Sequence, residues 1–259
     1  CMFNQLRGTA APLDAGELAA ATAPFGKSRM LPRAAYTDAA VFAWEQANIL
    51  SGWICVGHAA DLAEPKSQRA VDTGDGGILL TRDEQGALHA FANTCRHRGH
   101  ELLPCGGSRT ARVIACPYHS WTYRLDGSLR AAPGFRDVEG FEPGEFGLVP
   151  VPVVDWQGYL FADPSGTAGD FAAHLSGLDD VVGPYRPQDL VVVARHSYEL
   201  ATNWKIVVEN YQECYHCSTI HPELSRVSPP QSGETIRPRG DWLAGWMDLV
   251  PHAVTMSLD

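Results

Sequence analysis

Two short sequences, each pairing a cysteine with a histidine, constrain the fold of this chain more than any other feature. They read Cys95-Arg-His97 and Cys116-Pro-Tyr-His119, and 18 residues separate them. Thiolates and imidazoles are metal ligands, and two loops can close one site between two turns. The pattern therefore predicts a metal centre held by two loops that the fold must bring together.

The ligand types favour an iron–sulfur cluster over a single zinc ion. Two thiolates on one iron and two imidazoles on the other form a [2Fe-2S] centre of raised reduction potential. A structural zinc ion also accepts two cysteines and two histidines, but its first ligand pair usually stands two to four residues apart. The C-x-H spacing is tighter than that, so zinc is the less favoured alternative.

The sequences around these ligands resemble the Rieske family. The matching strings are Cys95-Arg-His-Arg-Gly-His100 and Cys116-Pro-Tyr-His-Ser-Trp121. Respiratory Rieske proteins carry an extra cysteine in each loop, joined as a disulfide, and those positions here hold His100 and Tyr118. The loops instead resemble those of the ring-hydroxylating and N-demethylating oxygenases. The resemblance implies that Cys95, His97, Cys116 and His119 bind the cluster.

The length and patterning of the chain indicate two domains. The 259 residues include 45% hydrophobic and 19% charged residues, as in globular proteins. We predict an N-terminal arm and helix over residues 1–50, with Thr37 or Asp38 as helix N-cap, a Rieske domain over 51–162 and a partial catalytic domain over 163–259. Short strands and turns predict an all-β Rieske module, with one hairpin over 78–92 and another turning at Asp126-Gly127. Further strands are predicted at 190–194 and 196–200.

A second candidate metal site follows in residues 203–222. Helical spacing over 203–218 predicts a stripe of inward side chains, namely Trp204, Val207, Val208, Tyr211 and Tyr215, and a polar face with Glu209, Glu213 and His216. Pro222 disfavours helix at His221, so the helix should end between the two histidines and let His221 turn back beside His216. The pair would then supply two ligands of a 2-His-1-carboxylate site for non-haem iron(II).

Alone, two histidines five residues apart are weak evidence for a metal, but the segment also resembles the Rieske oxygenase catalytic motif. The shared string is Asn-Trp-Lys, then Glu-Asn, then an acidic residue followed by x-x-His-x4-His. The resemblance implies that Glu213 joins His216 to His119 of the next subunit in a homotrimer and that Asn210 lies near the iron. The alternative for Glu213 is a solvated partner of His216.

Glutamate at position 213, where most of the family has aspartate, resembles the branch that acts on quaternary ammonium compounds such as glycine betaine, stachydrine or carnitine. Such enzymes hydroxylate a carbon next to nitrogen, and the N-methyl group leaves as formaldehyde. A cation of this kind would be bound by aromatic rings. Trp242 and Trp246 follow the motif, but the sequence assigns no cage residue.

The resemblance also implies a fold class and a missing ligand. The expected fold is α+β: an all-β Rieske domain followed by the start of a helix-grip, START-like catalytic domain. The family takes its third iron ligand from a late helix, whereas the carboxylates that follow His221 are Glu223, Glu234, Asp241, Asp248 and Asp259. None stands where the family would place the ligand, so we expect a truncated chain.

The functional hypothesis is the oxygenase component of a Rieske non-haem iron monooxygenase that uses O2. Electrons would come from a separate NAD(P)H-dependent flavin and iron–sulfur reductase, because the chain has no Gly-x-Gly-x-x-Gly fingerprint. The alternatives are a ring-hydroxylating dioxygenase or demethylase of an aromatic acid, and a Rieske ferredoxin-like electron carrier.

Charge and cysteine content limit the binding partners and the cellular location that we expect. The net charge of −10 argues against nucleic acid or an anionic membrane as partner, and neither a membrane span nor a secretory signal is recognised. Seven cysteines are an odd number, and a reducing, cytoplasmic location is expected. Five of them are predicted to be structural thiols: Cys1, Cys55, Cys105, Cys214 and Cys217.

Overall fold

The structure, a computed structural model, describes residues 8–24, 26–74, 76–237 and 239–254. Cys1 and Asp259, which were considered above as a thiol and as a carboxylate, lie outside these residues. The described chain forms two compact units. Within the described residues, the β unit comprises 46–169 and 185–192, and the helical unit comprises 8–45, 170–184 and 193–254. Each unit is described by itself.

In the described part of the β unit, ten short strands pair in antiparallel fashion. They are β1 Ile54–His58, β2 Ser67–Val71, β3 Ile78–Arg82, β4 Leu88–Ala92, β5 Ser108–Thr110, β6 Ile114–Ala115, β7 Thr122–Tyr123, β8 Leu129–Ala131, β9 Val153–Trp156 and β10 Tyr159–Ala162. They form three sheets with the orders β1-β10-β9, β4-β3-β2-β5 and β6-β7-β8. The all-β module is confirmed.

Both predicted hairpins are present. Strand β3 pairs with β4 from Ile78 opposite Ala92 to Arg82 opposite Leu88. The Asp126-Gly127 turn joins β7 to β8, where Gly127 adopts a φ of 84° and Asp126 accepts a hydrogen bond from Ser128 N at 2.9 Å. A positive φ costs glycine little, which explains why this turn could be found from the sequence.

Two apolar clusters form the core of the β unit. One surrounds the fully buried Trp121 and Tyr123 and includes Cys95 and Cys116, so two predicted metal ligands are also core residues. The other packs β1, β3 and β10 together around Leu80 and other buried aliphatic side chains. The loops that carry the predicted metal ligands are thus anchored in the first of these clusters.

The helices are short. Those described are α1 Ala15–Ala21, α2 Ala34–Thr37, α3 Ala39–Asn48, α4 Phe171–His174, α5 Leu178–Val182, α6 Trp204–Gln212, α7 Cys217–Ile220 and α8 Pro222–Val227. Strands β11 Glu234–Ile236 and β12 Ala244–Trp246 form a separate antiparallel pair. Asp38 Oδ1 accepts a hydrogen bond from Ala40 N at 2.8 Å, which confirms Asp38 as the residue that caps α3. None of the described helices has the length and hydropathy that crossing a membrane requires.

Two predictions for the region after residue 189 are wrong. Residues 190–194 and 196–200 form no strand, because a strand needs a neighbour to accept its backbone hydrogen bonds and no described strand pairs with them. Their apolar side chains are exposed, with Val191 at 76% and Val193 at 79%.

The helix predicted over 203–218 is shorter and is not packed as expected. It ends at Gln212, and Val207, Val208, Tyr211 and Tyr215 are exposed rather than turned into a core. Glu213 is extended, and its carboxylate accepts a hydrogen bond from Tyr215 N at 2.5 Å. A side chain that bonds to nearby backbone competes with the helical hydrogen bonds, which accounts for the early end.

The Asp126-Gly127 turn yields a stability prediction. A Cβ atom at residue 127 would collide with the ring of buried Phe91, whereas one at Gly134, with nearly the same φ of 85°, meets nothing within 4 Å. We expect Gly134→Ala to lower the free energy of unfolding by about 1 kcal/mol through backbone strain alone. Gly127→Ala should cost about 2 kcal/mol more, because it also overpacks the core.

Urea unfolding of both variants, followed by circular dichroism, measures this difference. Equal losses of stability in the two variants would contradict the contact between the turn and Phe91.

Candidate functional site

The first ligand pair lies in a tight turn that follows β4. Cys95 N donates to His100 O at 2.8 Å, and Gly99 N donates to Cys95 O at 3.0 Å. Gly99 has a φ of 69°, a conformation that glycine adopts without steric cost. The turn leaves Cys95 at its base and carries His97 outward.

The second pair lies in a turn of the same design between β6 and β7. Cys116 N donates to Trp121 O at 2.8 Å, and Ser120 N donates to Cys116 O at 3.1 Å. Ser120 has a φ of 60°, the left-handed conformation that Gly99 adopts in the first turn. Two similar turns therefore present two similar ligand pairs.

The four predicted cluster ligands are brought together with sulfur inside and imidazole outside. Cys95 and Cys116 are 2% and 3% exposed, while His97 is half-buried and His119 is exposed. The rings of His97 and His119 lie 4.8 Å apart, and His97 stacks on Trp121 at 4.9 Å with an interplanar angle of 6°. The arrangement fits a [2Fe-2S] cluster that has its thiolate iron in the core and its imidazole iron near the surface.

Tyr123 is a site residue that the sequence reasoning missed. Its hydroxyl lies 3.2 Å from Cys95 Sγ and accepts a hydrogen bond from Arg96 N at 3.0 Å. Burial raises the pKa of Tyr123, and the hydrogen bond to Cys95 raises it further, so the phenol stays protonated and can donate to sulfur. A tyrosine two residues after Trp121 in the following strand was the available signal.

Burial also shifts the pKa values of two predicted cluster ligands. It raises the pKa of the Cys95 thiol, against the lowering effect of the Tyr123 hydrogen bond, and it lowers the pKa of His97. Both shifts favour neutral side chains. Iron binding at Cys95 would therefore release a proton, whereas His97 is already held in the neutral form that binds metal.

His100 and Tyr118 occupy the positions of the bracing cysteines in respiratory Rieske proteins. Their rings lie 5.4 Å apart, and the Tyr118 ring packs on His119 at 3.7 Å. The two loops contact each other here through aromatic rings rather than through a covalent bond.

Glu213, His216 and His221 also come together, although by a different route from the one predicted. His216 precedes α7 and His221 follows it, and their rings lie 5.3 Å apart. Glu213 Oε1 lies 2.6 Å from His216 Nδ1, and this bond, with the Tyr215 N–H, lowers the pKa of Glu213. Pairing at Nδ1 leaves Nε2 of His216 as the nitrogen for a metal.

These residues line a cavity of about 830 Å³ in the helical unit. Asn210, Glu213, His216 and His221 all contribute to its wall, as does Trp246. Trp242 does not, since its indole donates to Ser176 O at 3.0 Å. The cavity therefore collects every residue that the sequence assigned to the iron site.

A third iron ligand is not identified. Glu234 lines the cavity, whereas Glu223, Asp241 and Asp248 do not. Within the described residues, no three or more side chains of His, Cys, Asp or Glu converge as the ligands of one metal ion would. The two histidines fit part of a 2-His-1-carboxylate site.

The prediction of thiols at Cys214 and Cys217 is wrong. The two residues form a disulfide across three positions, with Cα atoms 4.9 Å apart, because the turn after Glu213 brings them within bonding distance. Cys55 and Cys105 have free thiols as predicted, and both are exposed.

Family models match both regions of the chain in which a site is predicted. Residues 52–142 match the Rieske [2Fe-2S] domain, and residues 187–258 match the catalytic domain of the ring hydroxylating alpha subunit. The Rieske match supports the iron–sulfur interpretation over structural zinc.

Relatives of known activity are similar over most of the chain. The carnitine monooxygenase oxygenase subunit of Acinetobacter baumannii is 39% identical over 74% of this chain and 52% of its own length. The glycine betaine monooxygenase oxygenase subunit of Chromohalobacter salexigens is 41% identical over 75% of this chain and 43% of its own length. The chain thus spans about half the length of these relatives.

Solved structures show the same fold. A quaternary ammonium Rieske monooxygenase in complex with an inhibitor superposes with a TM-score of 0.77 at 32% identity, over 85% of this chain and 61% of that one. Naphthalene 1,2-dioxygenase from Rhodococcus gives 0.74 at 24% identity, over 86% and 54%, and shares the fold alone. With a Rieske domain and a ring-hydroxylating catalytic segment in one α+β chain, the protein belongs to the Rieske non-haem iron oxygenases.

Proposed function

We propose that this protein is the oxygenase component of a Rieske monooxygenase that hydroxylates and N-demethylates a quaternary ammonium compound. The observation that carries the proposal is the Glu213–His216 contact of 2.6 Å beside His221, in a chain that also has both Rieske loops. An electron carrier needs the loops but not the second cluster of side chains. The relatives named for carnitine and glycine betaine support the substrate class.

The two proposed cofactors have different roles in the reaction. When bound, the [2Fe-2S] cluster supplies single electrons and the mononuclear iron activates dioxygen. Cys95, Cys116, His97 and His119 would hold the cluster, and His216 and His221 would hold the iron with a carboxylate that is not identified. The proposed division of the chain remains an arm and helix over 1–50, a Rieske domain over 51–162 and a partial catalytic domain over 163–259.

Glu213 has the central role in the proposed electron route. Its lowered pKa keeps the carboxylate ionised at neutral pH, so that it accepts a hydrogen bond from the Nδ1–H group of His216. His119 is exposed, so its imidazole is accessible to a carboxylate of another subunit. We propose that Glu213 bridges His216 to His119 of the next subunit in a homotrimer. A related monooxygenase is described as transferring electrons between subunits.

The remaining partners follow from this scheme. Dioxygen and a small cationic substrate would meet in the cavity that Asn210 and Trp246 help to line. A cytoplasmic NAD(P)H-dependent reductase with flavin and iron–sulfur groups would supply the electrons.

Formaldehyde release tests the substrate class. We expect the native protein, supplied with NADH and a reductase, to release formaldehyde from at least one of glycine betaine, stachydrine and carnitine, because a hydroxylated N-methyl group breaks its bond to nitrogen and leaves as formaldehyde. Turnover of an aromatic acid, with no formaldehyde from any betaine, would support the ring-hydroxylating alternative instead.

Iron content separates an oxygenase from an electron carrier. The proposal expects about three irons per full-length subunit, of which His216→Ala removes one and leaves the visible absorption of the cluster unchanged. Two irons in both proteins, with no oxygen consumption, would establish the carrier.

Replacing Glu213 tests the bridge. Glu213→Gln keeps the size of the side chain but removes its charge, and we expect oxygen-dependent turnover to fall by about 10²-fold, as for other residues that orient a metal ligand. Chemical reduction of the cluster should be unaffected. Rapid mixing of the reduced protein with oxygen and substrate measures the reoxidation rate of the cluster.

Glu223→Gln is the matched control, since Glu223 is an exposed glutamate in the first turn of α8. If both variants reoxidise at the native rate, Glu213 is only a solvated partner of His216.

A further inference from the structure

Helix α6, which ends next to Glu213, has little apolar packing to hold it in place. None of its apolar side chains is buried, and Ile206, Val207 and Val208 are 40%, 44% and 37% exposed. Burial of apolar area usually orients a helix in a protein. Polar contacts therefore contribute to its orientation in the described chain.

The strongest of these contacts joins α6 to α3 through Glu45. Glu45 Oε1 lies 2.6 Å from Lys205 Nζ, and Glu45 Oε2 accepts a hydrogen bond from Trp204 Nε1 at 2.9 Å. The side chains of Glu45 and Lys205 are only 5% and 11% exposed. A buried carboxylate with a partner on each oxygen has one allowed position, so the first turn of α6 is held there.

A second contact lies one turn further along α6. Tyr36 OH donates to Glu209 Oε1 at 2.8 Å, and Asn203 Nδ2 donates to Tyr36 O at 3.1 Å. Burial and the Glu209 bond raise the pKa of Tyr36 to about 12, which keeps the phenol a donor at neutral pH. Lys205 and Glu209 are four residues apart and share one face of the helix.

Both contacts act on the helix that leads directly into the predicted iron site. Glu213 follows its last residue, and the Glu213 carboxylate reaches His216 Nδ1. A helix transmits a displacement of its first turn to its last, because its backbone hydrogen bonds make it stiff along its axis. A displacement of the contact at Glu45 would therefore also displace Glu213.

We propose that Glu45 is a positioning residue, which fixes α6 so that Glu213 orients His216. This inference rests on the proposed function only for the roles of Glu213 and His216. It gives the N-terminal segment a role in shaping the predicted iron site, although Glu45 lies more than 160 residues before Glu213 in the sequence.

The tautomer of His216 provides a test that requires neither iron nor substrate. At pH of about 9 a histidine is neutral, and a carboxylate on Nδ1 holds the proton there, since an ionised carboxylate only accepts hydrogen bonds. Nitrogen-15 NMR of histidine-labelled protein reports which ring nitrogen is protonated, and His216→Gln assigns the signal.

We expect the native protein to show the Nδ1–H form and Glu45→Gln to lose most of it in favour of Nε2–H. Glutamine keeps the shape of the side chain but not its charge or its second acceptor. The matched control is Glu199→Gln, the same change at an exposed position in the segment before α6, which should leave the His216 signal unchanged.

Because Glu45→Gln leaves Lys205 as a buried unpaired charge and could unfold the unit, the double variant Glu45→Gln with Lys205→Met carries the same test without that charge. A native His216 tautomer in either folded variant would overturn the inference and leave the proposed function intact. If the native protein releases no formaldehyde while these variants lose the Nδ1–H form, only the proposed function is overturned.

Discussion

The burial of two sulfur ligands beneath two imidazoles is the constraint on which the β unit depends. Cys95 and Cys116 are each the first residue of a turn, and each also belongs to the apolar cluster around Trp121 and Tyr123. The two sulfur atoms must therefore pack in the core and also bind the predicted cluster. Because a cysteine thiol packs as a small apolar group, each predicted sulfur ligand also serves as a core side chain.

The parts of the fold that could be predicted from the sequence are those decided by local chemistry. The Asp126-Gly127 turn needs a positive φ and an aspartate that bonds to Ser128, and both requirements are visible in adjacent residues. The C-x-H and C-x-x-H pairs belong to the same class, because a tight turn fixes which side chains point outward. For this reason the sequence could predict which four side chains the two loops bring together.

The errors arose where structure depends on a partner that composition and helical spacing do not specify. Residues 190–200 have the composition of strands, yet strand formation needs a neighbour that composition does not specify. The early end of α6 depends on the hydrogen bond from Tyr215 N to Glu213, and the disulfide depends on the turn that results. The convergence of His216 and His221 was nevertheless predicted, because Pro222 required some break in the helix before it.

Glu45 and Glu213 show how the same side chain serves two different purposes. Glu45 is buried, and each of its oxygens is committed to a donor, which suits a carboxylate that only has to hold a helix. Glu213 has 48% of its side chain exposed and uses one oxygen for His216 and the other for Tyr215 N. Each carboxylate oxygen has two lone pairs, so Glu213 can accept a further imidazole without releasing either partner. An extended residue three positions before His216 must span more distance than a helical one, and the additional methylene of glutamate supplies that reach.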